Sequence, residues 1–219
     1  MNIAENLKGL QQSIPEWVTL VAVSKFKPIE DLQIAYDAGQ RIFGESKIQE
    51  MTQKEALMPK DVQWHFIGHV QRNKVKYMAP YVSLIHGVDS LKLLEEINKQ
   101  ALRHNRIIDC LLQIHIAQEE SKFGFDPQEI FNLLENPTFD KLKNIRIKGI
   151  MGMATFTEDK KQIASEFQSL KSVFDLLKNK QHPLLNVEIL SMGMSDDYPI
   201  AIECGSTMIR VGSKIFGSR

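Results

Sequence analysis

The chain has 219 residues, 43% hydrophobic and 25% charged, which suits one soluble globular domain with a sizeable core. Its 27 basic and 27 acidic residues cancel to a formal net charge of zero, so bulk charge gives nucleic-acid binding no support. No apolar run approaches the roughly 20 residues of a membrane helix, and no basic stretch leads into an apolar one at the N-terminus. Cys110 and Cys204 form no metal or redox pattern, and Cys110 lies in an apolar run that suits a buried, inert thiol. A cytoplasmic protein is the expectation.

In chain order, the strand-like runs are 18–24, 41–44, 63–68, 82–88, 108–116, 145–153, 187–192 and 207–211. Most are continuously apolar rather than alternating, as expected for parallel strands covered by helices. Helical segments lie between them. Pro28 suits a helix start, and Ser90 would cap a segment carrying Leu91, Leu94, Ile97 and Ala101. Asp126-Pro127 reads as an N-cap followed by proline, with Ile130, Leu133 and Leu134 on the buried side. Ile163, Phe167, Leu170, Phe174 and Leu177 share one face of a later helix. Eight such units predict a single-domain (β/α)₈ TIM barrel over residues 1–219, somewhat shorter than the ~250 residues typical of that fold. An open doubly wound sheet is the structural alternative.

Lys25 follows directly on the first strand run and would point into the barrel mouth, where such folds carry their active sites. An ordinary lysine, with a pKa near ~10.4, is a poor nucleophile at neutral pH. Partial desolvation, or a cation such as Lys27 nearby, would lower it and favour a Schiff base with an aldehyde. Taken alone, a lysine at a strand end is most simply a solvated one. The far end of the chain changes that reading. Ser191-Met-Gly-Met-Ser195 and Val211-Gly-Ser-Lys214 are the loops expected after strands seven and eight, where TIM barrels often bind phosphate. Their glycines allow close backbone approach to an anion, and their serines add donors. Arg210, one position earlier, is costly on a barrel strand unless it meets an acceptor. An amine, an anion cradle and a fixed positive charge together suit a phosphorylated aldehyde cofactor.

These residues resemble the pyridoxal-phosphate homeostasis protein family, small single-domain relatives of the alanine racemase N-terminal barrel. The likeness runs through Ala22-Val-Ser-Lys25, Gly39-Gln-Arg-Ile-Phe-Gly-Glu45, Gln49-Glu50 and Trp64-His-Phe-Ile-Gly-His69. It continues through Asn73-Lys74, Leu190-Ser-Met-Gly-Met-Ser-Asp-Asp197, Gly205-Ser-Thr207 and Arg210-Val-Gly212. The resemblance implies pyridoxal 5'-phosphate (PLP) held as an aldimine on Lys25. It implies a phosphate site at Ser191, Gly212 and Ser213, helped by the backbone near Met192 and Gly193. Arg210 would face the pyridine nitrogen, and Lys122 would lie near the phenolic oxygen. The family usually carries asparagine where this chain has Ser46, so a contact beside the cofactor is altered. His69 is the histidine expected to line the pocket, while His65 lies deeper.

The implied role is intracellular vitamin B6 homeostasis without substantial catalysis. PLP-dependent apoenzymes are the implied acceptors, and a monomer is expected. The alternative is a PLP-dependent amino-acid racemase, which would need a second proton-transfer group. Tyr198 and His69 are the local candidates, neither with an activating partner visible in sequence. A cofactor-free Schiff-base aldolase is a third reading. His65, His69, His86 and His115 show no metal-ligand spacing. Met151, Met153, Met192 and Met194 are expected to pack in the core, and Asp196-Asp197 to cap a helix.

Overall fold

The computed structural model describes residues 2–118 and 123–217. Eight parallel strands close on themselves in chain order: β1 (Thr19–Val23), β2 (Ile42–Glu45), β3 (Gln63–Phe66), β4 (Leu84–Val88), β5 (Ile108–Gln113), β6 (Ile145–Met151), β7 (Leu185–Ser191) and β8 (Met208–Val211). Closure is direct, with Val21 opposite Arg210 and Ala22 opposite Val211. The predicted barrel is therefore present, and the open sheet is excluded. Strand runs predicted to reach residues 68, 116 and 153 stop two or three positions earlier, because their last residues turn into the mouth.

Helices surround the barrel: α1 (Ile3–Ser13), α2 (Ile29–Asp37), α3 (Ile48–Leu57), α4 (Val75–Met78), α5 (Leu91–Arg103), α6 (Pro127–Leu134), α7 (Lys160–Lys178), α8 (Tyr198–Glu203) and α9 (Ser213–Phe216). α7 buries Ile163, Phe167, Leu170, Phe174 and Leu177, the stripe read from the sequence. Each such side chain stabilises by roughly 1.5–3 kcal/mol. Asp126 and Glu129 form a reciprocal capping box on α6. Ser90 does not cap α5, because its hydroxyl donates to Asp89 instead. No helix of the described residues is long and apolar enough to cross a membrane.

Strand alternation divides the interior in two. Leu20, Ala22, Phe43, Trp64 and Phe66 face outward into the main core under the helices. Val21, Leu84, Leu111, Met151 and Met208 face inward and pack as a separate cluster inside the barrel. Above that inner cluster the barrel turns polar, with His65, His86, Gln113, Ser191 and Arg210 all buried. This polar layer is the floor of the site.

Candidate functional site

The mouth of the barrel holds a cavity of about 440 Å³ whose wall includes Lys25, Ser46, His69, Ser195, Arg210 and Ser213. Lys25 arrives there by a strained route. The next residue, Phe26, has a φ of 63°, a left-handed conformation uncommon for a bulky side chain. Its backbone N–H donates to Glu50 Oε1 at 2.6 Å, and Lys27 donates to the Phe216 carbonyl at 3.0 Å. Glu50 is held from behind by Lys54, whose ammonium also reaches Glu45 at 2.8 Å and the Ser24 carbonyl at 2.8 Å. Ser24 donates to the same Glu45 oxygen at 2.6 Å. Burial pushes the Glu45 carboxyl above its ordinary range, and its Oε2 has no partner among the described residues. Ser24, just after β1, and Glu45 of β2 thus lock α3, and α3 locks the turn that presents Lys25. Sequence reading found Lys25 but missed this support, since Lys54 looks like any helix-surface lysine.

The floor is one hydrogen-bonded chain. Arg210 donates to Ser191 Oγ at 2.7 Å and to the Gly152 carbonyl at 3.1 Å. Ser191 Oγ lies 3.2 Å from His86 Nδ1, and His86 Nε2 lies 3.1 Å from His65 Nδ1. The hydroxyl proton has a use only if Ser191 donates to His86, which makes His86 the Nε2–H tautomer donating to His65. Every donor then points inward from Arg210, and such chains reinforce one another. Burial keeps both imidazoles neutral: His65 is pushed down to about 3, and His86 well below its usual value, with His65 and Arg210 adding to the effect. Burial also lowers Arg210 to about 10, partly opposed by Asp197, so the guanidinium stays cationic at neutral pH.

The structure places the two serines of the loop after β7 differently. Ser191 is fully buried and turned to Arg210 and His86, and Met192 is fully buried in the core. Neither lines the cavity. Gly193 sits at φ 96°, where a Cβ would lie 2.7 Å from Ala201 Cβ. Its turn lifts the loop so that Met194, Ser195 and Asp196 reach the cavity. Ser195 Oγ accepts the Gly212 N–H at 3.3 Å, so the loops after β7 and β8 converge. The serine that meets the cavity is therefore Ser195, with Gly212 and Ser213 beside it as expected. Asp197 spends its carboxylate on the Met194 N–H inside this loop rather than on capping α8. Met153 and Met194, expected in the core, are exposed at the cavity wall.

Ser46 lies where strands two and three crowd together: a Cβ on Gly68 would meet its carbonyl oxygen at 2.5 Å. His69 stacks on Phe123, with ring centroids 4.2 Å apart, and its Nδ1 is 3.2 Å from Asp89 Oδ2. Ser46 and His69 also form part of a second, larger cavity of about 920 Å³ between α3 and α4. Lys122 lies outside the described residues. Among the described residues, no three His, Cys, Asp or Glu side chains gather as a metal site would require.

The donor set fits a phosphorylated pyridine aldehyde. The hydroxyls of Ser195 and Ser213 at one end, a buried guanidinium at the floor and an amine on the wall match its three functional parts. The family model described as alanine racemase, N-terminal domain, matches residues 1–219. The pyridoxal phosphate homeostasis protein of Pasteurella multocida is 38% identical over 232 residues, covering 100% of this chain and 98% of that protein. PipY of Synechococcus elongatus, solved with PLP bound, superposes with a TM-score of 0.88 at 35% identity, covering 98% of this chain and 100% of that one. An alanine racemase of Clostridium difficile shares the fold at 16% identity and a TM-score of 0.77, this chain covering 57% of it.

Proposed function

Because the chain belongs to the pyridoxal phosphate homeostasis proteins, within the alanine racemase N-terminal domain family, we propose that it binds PLP and serves its homeostasis in the cytoplasm. When bound, the cofactor supplies a reactive aldehyde that amines capture reversibly. One barrel domain spanning residues 1–219 holds it as a monomer. Lys25 is the amine assigned to the aldehyde. Ser195, Gly212 and Ser213 would hold the phosphate, and Arg210 would donate to the ring nitrogen. His69, Ser46 and Lys122 are assigned to the remaining edge. The observation that carries this reading is the meeting of Lys25, Arg210 and Ser195 around one cavity from three distant parts of the chain.

The protein's own groups do the binding rather than turnover. Arg210 stays protonated, so it would donate to the ring nitrogen and oppose protonation there. That weakens support for carbanion formation on the substrate. PLP-dependent apoenzymes are the proposed acceptors. The likeness to the pyridoxal phosphate homeostasis protein of Pasteurella multocida, over nearly its whole length, also supports storage over racemisation. The experiment is a spectroscopic titration with PLP, followed by racemisation assays on alanine and serine. Stoichiometric binding with negligible turnover is expected, and turnover abolished by Lys25→Ala would instead make the protein a racemase.

A further inference from the structure

Two cavities meet at His69. The 440 Å³ cavity holds Lys25, while the 920 Å³ cavity opens between α3 and α4, and His69 belongs to both walls. Asp89 Oδ2 lies 3.2 Å from His69 Nδ1, and Phe123 stacks on the ring. A carboxylate beside Nδ1 holds the proton there, which leaves Nε2 as an acceptor. The larger cavity also carries Lys47 and Lys74, which suit a carboxylate. Glu50, the acidic group in that wall, is already engaged by Lys54 and the Phe26 N–H.

We propose that the larger cavity admits free amino acids and that His69, held by Asp89, takes the proton from their ammonium group as they displace Lys25 from the cofactor. This rests on the assignment of Lys25 made above. The need for a base is chemical: an amino acid is an ammonium ion at neutral pH and cannot attack until it loses a proton. The ammonium gives one proton to His69 Nε2, and its nitrogen bonds to the former aldehyde carbon. A second proton passes from the incoming nitrogen to Lys25 Nζ, the bond from Lys25 Nζ to that carbon breaks, and the proton on His69 completes the departing Lys25 ammonium. Atoms and charge balance without an oxidant or reductant. The site would thus release its cargo to amines rather than only retain it.

L-Alanine is the probe. With protein loaded to stoichiometry, His69→Ala should slow the maximal rate of displacement about 100-fold, within the range of general-base effects. Added imidazole should restore part of that rate, and Asp89→Asn should slow it less. In cofactor-free protein, nitrogen-15 NMR should find His69 as the Nδ1–H tautomer. An unchanged rate, absence of imidazole rescue or an Nε2–H tautomer would each overturn the assignment. Wild-type protein that takes up no cofactor would instead sink the reading of Lys25, so the two failures are separable.

Discussion

The floor of the barrel and the rim of its cavity contrast in how they hold their residues. At the floor, His65, His86, Ser191 and Arg210 come from four strands and are at most 4% exposed. Each fixes the next through a hydrogen bond sealed from water. At the rim, Lys25, Ser46, His69 and Ser195 on strand-end turns, with Ser213 at the start of α9, touch the cavity. Floor residues are tied to the fold, because removing one leaves a buried partner unsatisfied. Rim residues owe their positions to supports outside the barrel, such as Glu50 and Lys54 behind the Phe26 turn.

That contrast breaks most visibly at Lys54. Lys54→Met leaves the buried Glu45 without its counter-charge and should cost about 3–5 kcal/mol in denaturant unfolding. A loss below about 1 kcal/mol would mean the turn presenting Lys25 supports itself. Acid should strike the floor next. The folded-state pKa of His65 is depressed to about 3, whereas the unfolded chain titrates near ~6.5. The unfolded state therefore binds more protons, and stability present above pH ~6.5 falls as pH drops toward 3. His65 should contribute about 1.4 kcal/mol per pH unit over that window. His65→Phe should flatten the stability–pH slope, and an unchanged slope would show that this imidazole is not buried neutral. Smallest of all is a pair of serines. Ser195→Ala should weaken PLP binding about five-fold with little change in Tm, the worth of about 1 kcal/mol of hydrogen bonding. Ser191→Ala should lower Tm because Arg210 and His86 lose a shared partner. The reverse pattern would exchange their places.

The barrel was legible because continuous apolar runs alternating with amphipathic segments admit few other parallel architectures. That Lys25, Arg210, Gly212 and Ser213 meet at one cavity was legible because strand ends gather at a barrel mouth. The choice between Ser191 and Ser195 was not, since it depends on where β7 stops and on the positive φ of Gly193. The His65–His86–Ser191 chain was hidden for a related reason. Its members are 21 and 105 positions apart, and only strand register brings them together. Asp89 was invisible as the partner of His69, because only the parallel pairing of β3 with β4 sets the two strand ends side by side.

The central claim is that Lys25 carries the cofactor. Borohydride reduction of PLP-loaded protein, followed by peptide mass spectrometry, tests it most directly. A single reduced pyridoxyl adduct on Lys25, absent from Lys25→Ala, is the predicted result. Label on another lysine, or undiminished label in that variant, would contradict it.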